Sequence, residues 1–163
     1  MKIPFEELEE AVYSSGDEAS FWIDKQTGKV VFIGMETKQF VADGSTIADE
    51  AEREATRQVL ILLGEIESDE QIDENRFLEI EAPNSNEGWQ MRADFIETLK
   101  PGEVRDKLTR ALRGGKPFQK FKNVLLDFPE IREKWFEFEK GEFRKYIERW
   151  AKGENIEIEY EAQ

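Results

Sequence analysis

Residues 115–150 read GKPFQKFKNVLLDFPEIREKWFEFEKGEFRKYIERW and hold nine of the 19 Phe, Trp and Tyr residues of the chain. Pro117 and Pro129 each stand where a helix can begin, because the first turn has no use for the N–H that proline lacks. The first helix carries Phe118, Phe121, Val124 and Leu125. The second and longest runs to about residue 152, with a bend expected at Gly141, since glycine weakens a helix interior. Phe118 and Phe121 lie one turn apart on one face, and Trp135 and Phe138 repeat that spacing on the next helix. An aromatic side chain removes roughly 150–250 Å² from water when buried, so rings in this number and register predict an interior scaffold. The rival reading is a base-stacking platform flanked by Lys120 and Lys122, which requires ring faces left open to solvent.

Upstream, the spacing predicts helices over residues 85–99, with Trp89, Ala93, Ile96 and Leu99 inward, and over 101–113. Pro101-Gly102 and Gly114-Gly115 separate them. The N-terminal half is patterned differently. SFWIDKQTGKVVFIGM (20–35) places two runs rich in aromatic and β-branched residues around a polar loop, 25–28, in which Gly28 is free to take a positive φ. This is a β-hairpin. Its strands are apolar on both faces, so helices should cover at least one side. A short amphipathic helix is expected over 4–14 (Phe5, Leu8, Ala11, Val12) and another over 47–63. For the latter, Thr46-x-x-Asp49 resembles a capping box, Ala48, Ala51, Ala55 and Val59 supply the spacing, and Gly64 caps the end. Residues 65–74 read as a mobile acidic loop, 76–81 as a third strand, and the alternating NIEIEY of 155–160 as a candidate further strand of the same sheet.

At 163 residues, with no internal repeat and no long linker, the chain is expected to form a single domain, 1–163. Its charge is uneven. Residues 1–82 carry 7 Lys/Arg against 21 Asp/Glu, while residues 83–163 carry 16 of each, so the first part holds the whole net charge of −14. No run approaches the ~18 apolar residues of a membrane span, and MKIPFEELEEAV lacks a signal-peptide core, so a cytoplasmic location is expected. There is no Cys and no His. Thiol nucleophiles, thiolate metal sites, histidine general bases and typical zinc hydrolysis are therefore excluded within this chain. Neither a GxGxxG nor a Walker A pattern is present, and no cofactor is implied.

The series Gly115-x-x-Phe118-x-x-Phe121-Lys122-x-x-Leu125, then Arg132-x-x-Trp135-x-x-Phe138 and Trp150, resembles the bacterial uncharacterised protein family number 158. The hairpin residues Ile23-Asp24-x-x-Thr27-Gly28-x-Val30 resemble its N-terminal element. The chain departs from the family pattern at Pro117, where a small residue is usual, and at Arg92, which aligns with a Met; residues 36–75 match poorly. The resemblance implies a fold and carries no catalytic residues with it.

One constellation opposes the global charge. Arg105, Lys107, Arg110, Arg113, Lys116, Lys120 and Lys122 face only Asp106 across residues 105–122, a local net of +6. Lys107, Arg110 and Arg113 lie opposite Val104, Leu108 and Ala111, so one helix face is cationic and the other apolar. Such a strip suits an acidic protein partner, phosphates or RNA. The opposing reading is internal neutralisation by residues 65–81, whose net charge is −7. A second constellation, Asp69-Glu70-x-x-Asp73-Glu74, fails as an EF-hand, because Glu74 stands where the turn glycine is needed and Ile80 where the closing carboxylate is needed.

These observations predict an α+β protein: a small, mainly antiparallel sheet with an N-terminal β-hairpin, packed with a multi-helix C-terminal half. The expected role is a non-enzymatic interaction or regulatory module using the strip 105–122 toward a protein partner, with no cofactor and no membrane. The alternatives are a nucleic-acid-associated protein using the same strip, and a carboxylate- and metal-dependent hydrolase.

Overall fold

The computed structural model describes residues 1–43, 47 and 49–162, without the side chain of Asp43. The chain divides into two compact units: Met1–Ala82 together with Ile147–Gln163, and Pro83–Tyr146. The first boundary falls where the net charge changes along the sequence. Residues from Ile147 onward, although they lie in the charge-balanced half, belong to the first unit.

The first unit opens with a short strand, β1 (Lys2–Pro4), that runs directly into α1 (Phe5–Ser14). Leu8, Ala11 and Val12 are buried on α1, and Glu6 and Glu7 occupy its first turn, where carboxylates favour the positive end of the helix dipole. The hairpin follows as β2 (Ser20–Asp24) and β3 (Lys29–Ile33), antiparallel, with Phe21 opposite Phe32 and Ile23 opposite Val30. Gly28 takes φ +73°, and its N–H donates to the Asp24 carbonyl at 2.7 Å to close the loop. After α2 (Thr37–Asp43) and α3 (Glu50–Leu62), a 3-10 turn at Glu74–Arg76 leads into β4 (Phe77–Glu79), which pairs antiparallel with β2. The strand order is β3-β2-β4. The whole is an α+β architecture, as read from the sequence.

Directly opposed residues share a face of an antiparallel sheet. Val31, Ile33 and Phe77 meet Ala55, Val59 and Leu60 of α3 on one face. Phe21, Ile23, Val30 and Phe32 lie on the other, beside α1. Helices therefore flank both faces, because both strands are apolar on both sides.

Several local expectations are corrected. Residues 157–159 do not join this sheet: β5 (Glu157–Glu159) pairs parallel with β1, Ile3 opposite Ile158, in a separate two-stranded ribbon. Parallel pairing of residues so distant in the chain leaves no local signal, and neither does β1, whose three residues read as the lead-in to a helix. The helix α2 was not foreseen either; it is anchored by Thr37, whose hydroxyl accepts from the Gly34 N–H at 2.7 Å. α3 starts at Glu50, with Asp49 as its cap accepting the Glu52 N–H at 2.8 Å. Thr46 and Ala48, on which the earlier start rested, lie outside the described residues. The acidic loop 65–74 is tied down, as Ile66 and Ile72 pack on the α3 cluster and Glu70 pairs with Arg57 at 2.6 Å.

The second unit begins with α4 (Ser85–Glu97), capped by Asn84, whose side chain accepts the Glu87 N–H at 2.9 Å. There follow α5 (Glu103–Ala111), α6 (Pro117–Leu126) and α7 (Pro129–Gly153), of which the residues to Tyr146 belong to this unit. α7 continues as one helix through Gly141. Met91, Phe95, Ile96, Leu108, Leu112, Phe121, Leu125 and Trp135 form the core. The ring centroids of Phe95 and Trp135 lie 5.3 Å apart and those of Phe121 and Trp135 5.0 Å, edge to face. Phe121 and Trp135 are thus interior, as the spacing predicts. Phe138 is partly buried against them, and Phe118 stays at the margin. On α4 the inward face is Met91, Phe95 and Ile96, whereas Trp89, expected inward, is 40% exposed.

Candidate functional site

The seven cations singled out in the sequence all fall on α5, α6 and the turn between them, within the second unit. The amphipathic reading of α5 holds: Leu108 and Ala111 are buried and Val104 half-buried, while Arg110 is exposed. The structure then divides the seven. The Arg105 guanidinium donates to the Leu99 carbonyl at 3.1 Å and reaches Glu97 at 3.3 Å, so it fastens α5 to the end of α4. The Lys107 ammonium pairs with Glu103 at 2.9 Å and lies 5.5 Å from the Phe128 ring centroid. Both are occupied within the unit.

The other five are exposed. Among the described residues, no carboxylate forms an ion pair with Arg110, Arg113, Lys116, Lys120 or Lys122. The Arg110 Nε does donate to the Asp106 carbonyl of its own helix, at 3.4 Å. The turn concentrates these cations. Gly114 takes φ +80° and Lys116 sits in the left-handed region at φ 53°, so the chain reverses within a few residues of both helix ends. Lys116 is the α6 N-cap without a side-chain hydrogen bond, and Pro117 follows it at the start of the helix. The negative segment 65–81 is meanwhile engaged in its own unit: Glu70 with Arg57, and Asp73 capping the 3-10 turn by accepting the Asn75 N–H at 3.0 Å. Among the described residues, no group of three carboxylates is placed to hold a metal ion, and no helix is long and apolar enough to cross a membrane.

A further charged group is Arg92 on α4, which the sequence marked only as a departure from the family pattern. Its guanidinium carbon lies 4.2 Å from the Phe118 ring centroid, 5.2 Å from that of Trp135 and 5.6 Å from that of Phe121. Nη1 donates to the Gly88 carbonyl at 2.8 Å, while the buried Nε has no partner among the described residues. Gly88 packs closely beneath both groups: a Cβ there would stand 3.4 Å from Nη1 and from the Phe118 ring, an ordinary contact distance. Burial pushes the Arg92 guanidinium down and the Glu139 carboxyl up, and the mutual attraction of the two opposes both shifts. A charged residue in register with Gly88, Phe95 and Ile96 on an otherwise apolar face was the available sequence signal.

The aromatic cage makes Arg92 part of the scaffold under the cationic turn, and its replacement is a test of that role. Methionine has similar length and no charge to desolvate, so Arg92→Met is expected to change unfolding stability by less than about 1 kcal/mol. Urea melts check this. A loss above about 2 kcal/mol would mean that the stacked cation itself stabilises the unit.

Comparison with known proteins bears on this architecture as a whole. The model of the uncharacterised protein family UPF0158 matches residues 1–163, so the chain belongs to that family. The match includes the stretch 36–75 where the resemblance was thin. The UPF0158 protein PA5073 of Pseudomonas aeruginosa is 24% identical over 82 residues, which cover 50% of this chain and 54% of the relative. The chain thus spans about half the length of the curated relative it matches. No solved structure matches the chain significantly.

Proposed function

We propose that this chain acts in the cytoplasm as a non-enzymatic interaction module whose α5–α6 turn docks an acidic surface of a protein partner. The observation that carries this reading is the set of five exposed cations, Arg110, Arg113, Lys116, Lys120 and Lys122, left without carboxylate partners among the described residues of a chain whose net charge is −14. A chain this acidic has carboxylates to spare. Their absence from this turn supports a surface kept open for a ligand. Two further cations are used structurally: Arg105 fastens α5 to the end of α4, and Lys107 lies over the Phe128 ring.

A protein partner fits better than RNA. Of the four rings a stacking platform would need, Phe121 and Trp135 are 1% and 4% exposed, Phe138 is partly buried against the core, and Phe118 is partly buried with the Arg92 guanidinium over its ring. The net charge of −14 also opposes the approach of a long polyanion. The experiment is affinity purification of the full chain and of a variant with Arg110→Glu, Arg113→Glu and Lys120→Glu. The variant should lose at least one partner about tenfold or more while melting as the wild type does, because rim charge reversals act on association and not on the core. Identical partner sets would remove the reading. RNA titration at two salt concentrations separates the alternative: tight binding that falls steeply with salt would favour phosphates.

A further inference from the structure

The outer edge of β3 lies on the other unit of the chain, independent of the α5–α6 turn. β3 is a terminal strand of the order β3-β2-β4. The Ile80 N–H donates to the Phe21 carbonyl at 2.8 Å, so the peptide groups of Phe21 face β4. Phe32, its cross-strand partner, therefore turns its own N–H and C=O away from β2. The two-residue period gives Val30 the same orientation. Among the described residues, none of these four backbone groups has a partner. The free run ends at Gly34, whose N–H and C=O are both taken by Thr37.

Space lies along the same line. A hollow of about 270 Å³ reaches from Glu7 on α1 past Val30 and Val31 to Ala51 and Glu52 on α3, and so crosses the strand edge. A second, of about 750 Å³, is lined by Glu7, Glu10, Val30 and Phe32. A third, of about 570 Å³, continues past Phe32 and Met35 beside Glu18, Glu36 and Glu52. Phe32 is 51% and Met35 78% exposed, which provides apolar contact surface at the same edge.

We infer that this edge accepts, as an added β-strand, an extended lysine- or arginine-bearing segment of another protein. Strand addition uses free main-chain groups for affinity and flanking hollows for alternate side chains. Charge selects the occupant. Glu7, Glu10, Glu18, Glu36 and Glu52 line the hollows, and Lys29 is the cation at the start of the strand. A second copy of the chain would bring the same carboxylates against them, in a segment where 21 acids already outnumber 7 bases. The carboxylates thus deter self-pairing of an open apolar edge, which proteins must prevent by some device, and attract a basic strand.

The probe is a short, end-blocked, fluorescent peptide alternating lysine and valine, with a glutamate–valine counterpart as control. The lysine peptide is repelled by the cationic α5–α6 turn, so its binding reports on this edge whether or not that surface has a partner. It should bind the full chain and slow exchange of the Val30 and Phe32 amides with solvent about tenfold or more. Methylating alternate backbone nitrogens of the peptide should abolish binding, and Phe32→Lys should weaken it about tenfold. The amide measurement uses the wild type, so the result does not depend on that variant folding. Absent binding, equal binding of the glutamate peptide, or binding without change at those two amides would overturn the inference. So would a concentration-dependent dimer protecting the same amides, which would place a second copy on the edge.

Discussion

Phe95→Ala should lower unfolding stability by about 3–5 kcal/mol, among the largest losses from a single substitution in the second unit. Phe95 is 2% exposed and touches three rings: Phe121 at 6.4 Å, Trp135 at 5.3 Å and Phe138 at 5.4 Å between centroids. Truncation removes its burial and leaves a cavity between α4, α6 and α7 that rigid aromatic neighbours cannot collapse to fill. Against a typical total of about 5–15 kcal/mol, such a loss puts the folded state itself in question. The informative control is Trp89→Ala. Trp89 is larger but 40% exposed, and its indole N–H donates to the Leu112 carbonyl at 3.1 Å, so about 1 kcal/mol is expected. Denaturant melts of the two variants decide between the faces of α4. A greater loss at Trp89 would reverse the assignment.

The second large effect belongs to Asp24, at the end of β2. Its side chain is fully buried and holds Arg76 in a two-pronged pair, Nε to Oδ1 at 2.8 Å and Nη2 to Oδ2 at 2.7 Å, while Oδ1 also accepts the Gln26 N–H at 3.0 Å. Asp24→Asn removes the charge and turns an amide donor toward the donors of Arg76. Breaking one side of a buried pair usually costs ~3–5 kcal/mol; the low end, about 3 kcal/mol, is expected because the Arg76 side chain is 20% exposed and partly rehydrates. Acid tests the cause. Burial by itself pushes the Asp24 carboxyl up, but the Arg76 hydrogen bond, the Gln26 amide, the Thr27 hydroxyl and the Arg76 charge outweigh it and hold the group below its ordinary 3.8. A carboxyl lowered in the folded state contributes stability that is complete above its unfolded value and is lost as the pH falls through the folded one. The gap between wild type and Asp24→Asn should therefore be full at neutral pH and should close below about pH 4. A gap independent of pH would assign the effect to packing.

The elements legible in the sequence are those whose signal lies within a few residues. The hairpin announced itself through β-branched runs on either side of Gly28, and α6 and α7 through Pro117 and Pro129. Phe121 and Trp135 declared their burial by one-turn spacing with a second ring. On α4, Ile96 is in the core and Ala93 and Leu99 pack against it as the spacing suggests, but Trp89 lies outside and Met91 and Phe95 went unread, because hydrophobicity alone does not say which of two overlapping apolar stripes meets a neighbour. The cationic strip was found as a charge count. That count includes Arg105 and Lys107, and only contacts with Leu99, Glu97 and Glu103 show them to be occupied.

By itself the sequence determined the fold class, the positions of most helices and the hairpin, and the absence of histidine and cysteine chemistry, because composition and short periodicities act through local backbone preference and burial. Only the tertiary structure decided that residues 2–4 pair with 157–159, that Arg92 lies among three rings, that five of the seven cations are exposed without a carboxylate partner among the described residues, and that β3 is a terminal strand of its sheet. Each of these depends on which groups from distant parts of the chain compete for the same space and the same hydrogen bonds. That competition is settled by packing and has no expression in the order of neighbouring residues.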